Sequence, residues 1–105
     1  MIILKNDILD FLQQIKPELK SHGIISLGLF GSMAKDTNTS NSDIDIVYET
    51  SDSFIKQYQG WTAFTYLNEN LRDKVSRKFN VNVDMFDLNS SSSIRDKVQK
   101  EAIYV

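Results

Sequence analysis

Cysteine is absent, which excludes disulfides and thiolate metal sites and fits a reducing compartment. There is no surplus of positive charge. Twelve Lys and Arg face fourteen Asp and Glu for a net charge of −2, and no basic run stands ready to neutralise a nucleic-acid backbone, so direct contact with nucleic acid is not expected. No apolar run approaches the roughly 20 residues of a membrane span. Lys5, Asn6, Asp7 and Asp10 interrupt anything resembling a signal peptide, so a cytoplasmic location away from membranes is expected. The one histidine, His22, has no companion residues in a ligand or general-base pattern and reads as an exposed loop or helix C-cap residue. No internal repeat is visible, and 105 residues are expected to form one domain spanning 1–105.

What is present centres on two stretches, Gly28-Leu29-Phe30-Gly31-Ser32-Met33-Ala34-Lys35 and Ser42-Asp43-Ile44-Asp45-Ile46-Val47-Tyr48-Glu49. The first reads as an apolar strand, Ile24 to Phe30, running into Gly31-Ser32 and the start of a helix. Unpaired backbone N–H groups at such a turn face an anion, and phosphate is the natural guest. The second reads as a strand whose side chains alternate, with Ile44, Ile46 and Tyr48 on one face and Asp43 and Asp45 on the other. Like charges at close range repel, so adjacent carboxylates call for a cation. A hard divalent ion, Mg²⁺, suits carboxylate and phosphate oxygens together. Anion cradle and cation site thus point to a metal-bound nucleoside triphosphate.

The remaining chain supplies the frame. Asn6 or Asp7 is expected to cap a helix with Ile8, Leu12, Ile15 and Leu19 at helical spacing, its end blurred by Pro17 and stopped at Gly23. Residues 36–41 read as a loop between the turn and the second strand. Ser42 either orients Asp43 through the backbone or simply begins the strand. Residues 49–53 offer several caps. Beyond them Phe54, Tyr58, Trp61, Phe64, Leu67, Leu71 and Val75 recur three or four apart, which predicts an amphipathic helical region of about six turns, broken near Gly60. That aromatic stripe could stack a base, but burial in the core is the expected role. Arg72 and Arg77 are expected on a solvated charged face rather than at a triphosphate. From Phe79 to Leu88 a third strand places Val81, Val83 and Met85 on one face and Asn82 and Asp84 on the other, with Asp87 on the apolar face near the end. Ser93-x-x-Asp96 reads as a capping box opening a last helix that carries Ile94, Val98 and Ala102. Tyr104 either packs on the core, touches a partner or is modified.

Gly31-Ser32, a spacer of roughly ten residues and Asp43-x-Asp45 resemble the signature of the DNA polymerase beta type of nucleotidyltransferase. Phe30-Gly31-Ser32-x-Ala34-Lys35, Ser42-Asp43-Ile44-Asp45-Ile46 and the end Glu101-Ala102-Ile103-Tyr104-Val105 look most like the minimal nucleotidyltransferases (MNT), small domains often paired with a HEPN protein in toxin–antitoxin modules. The resemblance implies an α/β or α+β core, a mixed sheet of at least three strands flanked by helices. It also implies Asp43, Asp45 and Asp84 as catalytic carboxylates and ligands of two Mg²⁺ ions. Gly31, Ser32, Lys35 and Ser42 are the implied nucleotide contacts and ATP the implied donor. The implied acceptor is a tyrosine hydroxyl of a HEPN ribonuclease toxin, held as a hetero-oligomer, since no second domain is evident to hold an acceptor. A small-molecule acceptor of the aminoglycoside type and a non-catalytic antitoxin that works by binding are the alternatives. The family usually has Arg-Gly where this chain has Lys35-Asp36. Lys keeps the charge but loses the bidentate fork, and Asp36 forfeits the freedom of glycine at positive φ and adds a negative charge near the phosphates.

Overall fold

The computed structural model describes residues 3–39 and 41–105. Helix α1 (Lys5–Ser21) buries Ile8, Leu12 and Leu19 along one stripe and runs through Pro17 without ending. Its first hydrogen bonds, from Asp7 and Ile8, converge on the Leu4 carbonyl at 3.1 and 3.3 Å. Leu4 is therefore the N-cap, and no side chain caps the helix. The expectation of Asn6 or Asp7 as cap is corrected: both are already helical, and Asp7 instead places a negative charge in the first turn, where the helix dipole favours it. His22 closes α1 as its C-cap, but it is half-buried rather than exposed, with Nδ1 2.7 Å from the Tyr58 hydroxyl.

Strand β1 (Ile24–Phe30) pairs antiparallel with β2 (Ile44–Thr50), with Leu27 opposite Tyr48, Leu29 opposite Ile46 and Phe30 opposite Asp45. Strand β3 (Val83–Asp87) lies parallel to β2, with Ile44, Asp45 and Ile46 opposite Val83, Asp84 and Met85. A fourth strand, β4 (Ile103–Tyr104), joins the free edge of β1 antiparallel and gives the order β3-β2-β1-β4. The expected mixed sheet flanked by helices is therefore present, with one strand more than the three read from the sequence. Two residues carry no alternation to read.

A parallel pair needs a long crossover. Here it consists of α3 (Asp52–Gln57), α4 (Trp61–Leu67), a π-helical turn (Asn68–Arg72) and α5 (Asp73–Phe79). Ser51 caps α3 by accepting a hydrogen bond from the Phe54 amide, one of the caps expected there. The break near Gly60 is also as expected. The core role of the whole aromatic stripe is not. Phe54, Tyr66, Leu67, Leu71 and Val75 are buried, whereas Trp61 and Phe64 are 82% and 57% exposed and pack edge-to-face on each other. The π turn holds one residue more per turn, so the face read back from Leu71 and Val75 does not continue through Phe64 and Trp61.

The last helix, α6 (Arg95–Glu101), begins after Ile94 with no side-chain cap, so the Ser93-x-x-Asp96 capping box does not form. Ser92 takes that place, its Oγ accepting from the Ile94 amide and its carbonyl from the Arg95 amide. In a run of four serines, neighbouring candidates look alike. The loop read over 36–41 is irregular where described; Ser40 lies outside the described residues.

The sheet has a thick side and a thin side. Ile44, Ile46 and Tyr48 of β2, with Leu27 and Leu29 of β1, pack under α1 and the crossover helices in the main core. On the reverse, Val47, Leu88 and Val98 form a small cluster backed by Phe30, Phe86 and Ala102. No helix among the described residues is long and apolar enough to cross a membrane.

Candidate active site

Alternation along β2 sends Asp45 and Val47 to the thin side, opposite Ile44, Ile46 and Tyr48. Because Asp84 is the parallel partner of Asp45, it projects from that same side, one strand spacing of about 4.8 Å away. Asp43 immediately precedes β2 and shares the phase of Asp45. The structure thus brings together the three carboxylates that the sequence singled out. Asp87 pairs with Tyr48, belongs to the core side and ends β3, as its phase required.

The electrostatics match this geometry. Partial burial pushes the Asp45 carboxyl above its ordinary range, and the charges of Asp84 and then Asp43 push it further. Among the described residues no cation pairs with any of the three. An all-oxygen, negatively charged donor set without a protein counter-ion fits a hard divalent cation. Among the described residues no three acidic, histidine or cysteine side chains are placed so that together they could hold a metal ion as they stand. Asp43 and Asp84 are exposed and bound to nothing described, so neither side chain is held by a partner against turning inward.

Gly31 forms the wall beside them. It has φ +76° and opens helix α2 (Gly31–Lys35), where the chain leaves β1 opposite Asp45. A Cβ at Gly31 would lie 3.0 Å from Asp45 Cγ and closer still to Oδ2, so this turn can lie against the carboxylate only as glycine. Ser32 follows, half-buried, its hydroxyl engaged by no described residue.

The two departures from the family pattern each have a partner. Asp36 adopts the left-handed conformation, φ 59°, that a glycine would adopt freely, and its carboxylate takes a 2.8 Å bond from Lys5 Nζ. Lys35 Nζ lies 3.2 Å from Glu101 Oε2 at the end of α6. Neither partner was legible in the sequence, because each lies on a distant element with no motif linking the two. Ser42 ties down the loop, its Oγ accepting from the Thr39 amide at 2.9 Å and its own amide donating to the Thr39 carbonyl, instead of orienting Asp43. Arg72 is not on a solvated face: it is half-buried beside Tyr48 on the core side, where burial and then the Asp87 charge push that phenol up to about 12 and the Arg72 charge offsets part of the rise. Arg77 is exposed, as expected. Tyr104 packs over Gly28, where an added Cβ would lie 3.2 Å from its ring, and its hydroxyl donates to the Gln99 carbonyl at 3.4 Å.

Comparison with known proteins adds to this geometry. The family model described as polymerase beta, nucleotidyltransferase matches residues 13–105. A solved minimal nucleotidyltransferase superposes with a TM-score of 0.71 at 18% identity, covering 96% of this chain and 95% of that one. A chain of a toxin–antitoxin crystal structure with AMP-PNP superposes with a TM-score of 0.61 at 24% identity, covering 97% and 72%. A nucleotidyltransferase from Sulfolobus solfataricus gives a TM-score of 0.52 at 25% identity, covering 95% and 80%. No curated protein sequence matches the chain.

Proposed function

Since the chain belongs to the polymerase beta nucleotidyltransferase family, we propose that it transfers AMP from Mg-ATP to a tyrosine hydroxyl of a HEPN-type toxin and so silences the toxin. The observation that carries this reading is the register of β2 on β3, which sets Asp45 beside Asp84 with Asp43 adjacent and Gly31 against them. The toxin–antitoxin neighbour with AMP-PNP supports the nucleotide and the class of partner.

In this reading Asp43, Asp45 and Asp84 would hold the Mg²⁺ ions that accompany the triphosphate. Bound magnesium supplies charge stabilisation at the attacking and leaving oxygens. Gly31 and Ser32 face the β and γ phosphates with a backbone amide and a hydroxyl, and Ser42 keeps the loop before β2 closed beside the nucleotide. Asp84 accepts the proton of the tyrosine hydroxyl. The tyrosine oxygen bonds to the α phosphorus as the bond from that phosphorus to the β-phosphate oxygen breaks, releasing pyrophosphate.

The test is transfer of label from α-labelled ATP to a co-expressed partner. Asp43→Asn with Asp45→Asn is expected to lower transfer by at least about a thousandfold, the scale of losing charge stabilisation at a reacting phosphate. Undiminished labelling by the double variant would sink the assignment. A second reading, neutralisation by binding alone, draws on the exposed Trp61 and Phe64, which present apolar surface to a partner. It predicts that the unlabelled double variant still protects cells.

A further inference from the structure

A cavity of about 240 Å³ lies between α2 and α6, next to the carboxylates but not made of them. Its walls are Phe30, Ile94 and Val98, its rim carries Lys35, Lys97 and Glu101, and Gly31 separates it from Asp45. Its volume falls below the roughly 300–1,000 Å³ of pockets that enclose a whole ligand, so it suits part of a larger molecule. Three features say which part. The lining is mainly apolar and includes an aromatic ring. Phe30 is steadied edge-to-face by Phe86, 6.2 Å away. Ile94, although apolar, is 49% exposed at the mouth, where its side chain is free to meet a ligand.

We infer that this cavity receives the heterocyclic base of the donor nucleotide, with Phe30, Ile94 and Val98 against its faces and Lys97 and Glu101 offering a donor and an acceptor to its polar edge. The inference rests on the nucleotidyl-transfer reading and deepens it, because a triphosphate at Gly31 and Ser32 leaves the nucleoside to lie along one side of that turn. Lys35 is already paired with Glu101, and the apolar depth of the cavity disfavours phosphate there. Lys97 makes no ion pair among the described residues and is available to a ligand.

The experiment compares ATP with inorganic tripolyphosphate, both with Mg²⁺, by calorimetry on the full chain. Ile94→Ser is the variant, since position 94 is exposed at the start of α6 and its side chain is no part of the buried core. Loss of a stacking surface should weaken ATP about tenfold and leave tripolyphosphate unchanged. The Ile94 methyl resonances should move with ATP but not with tripolyphosphate. Equal weakening of both probes, or unchanged ATP binding in the variant, overturns the base assignment while leaving the transfer reading intact. If ATP affinity holds and affinity for the acceptor protein falls instead, the cavity takes a ring of the acceptor and the inference is likewise overturned. Failure of the wild type to bind either probe removes both readings together.

Discussion

On the core side of β2, Ile44, Ile46 and Tyr48 are closed over by α1 and the crossover helices in the main apolar core. On the other side, one residue along in each direction, Asp43 and Asp45 stand with Asp84 where only a small cluster around Val47, Leu88 and Val98 supports the sheet. Seven residues of one strand therefore serve two incompatible ends, and alternation with period two keeps them apart. Folding energy is concentrated on one face and electrostatic strain on the other. If that division holds, neighbouring substitutions on β2 should have opposite consequences.

The sharpest way to break the comparison is to change Ile46 and Asp45 separately. Ile46→Ala leaves a cavity in a fully buried site and should cost about 2–5 kcal/mol, lowering Tm by roughly 4–8 °C per kcal/mol. Transfer per folded molecule should remain. Asp45→Asn should do the reverse, abolishing transfer while raising Tm in magnesium-free buffer. The sign follows from linkage. The folded chain holds the Asp45 proton more tightly than the unfolded chain does, whose pKa is near the ordinary 3.8, so wild-type stability falls as pH rises from there through the raised value. Asparagine carries no such penalty. The Tm gap between variant and wild type should open with rising pH across that window, as thermal melts at stepped pH would show. A variant less stable than wild type at neutral pH would contradict the division of labour.

Next in size is Gly31, where a backbone constraint and the carboxylate site meet. Gly31→Ala puts a methyl group against the Asp45 carboxylate and asks alanine to hold φ +76°. The backbone penalty alone is about 1–2 kcal/mol. The larger effect should be on transfer, because the new Cβ displaces Asp45 from Asp84, and displacements of this size in a reacting geometry lower rates by about a hundredfold. Measuring kcat beside Tm separates the two. A stability loss with transfer intact would mean that Gly31 matters to the fold only.

The same division explains what was legible beforehand. The carboxylates could be read because their strands alternate cleanly, and because Asp43-x-Asp45 and Asp84 fall in the same phase as the register later placed them. The core side was equally readable in Ile44, Ile46, Val83 and Met85. Three things were hidden. β4 is two residues long and owes its existence to the β1 edge beside it. The inward face of α4 was misread at Trp61 and Phe64 because a π turn leaves no periodic signal in the residues that form it. The partners of Lys35 and Asp36 come from the two ends of the chain, and only the tertiary fold brings Glu101 and Lys5 to them.

The smallest expected effect concerns Lys35 and decides whether it belongs to the fold or to the site. Its bond to Glu101 joins two half-exposed side chains, so it is worth under about 1 kcal/mol, and Lys35→Ala should change Tm by no more than a few degrees. If Lys35 also reaches the triphosphate, its loss should raise the KM for ATP about fivefold without a matching fall in kcat, as removal of uniform binding does. Exchanging the charges, Lys35→Glu with Glu101→Lys, then separates the roles. The exchange rebuilds the ion pair and should restore Tm, but it places a carboxylate where the ammonium stood, so the KM should rise above that of Lys35→Ala. Recovery of both Tm and KM would instead assign Lys35 to joining α2 and α6, and would leave Ser32 and the Gly31 backbone as this chain's own contacts to the phosphates.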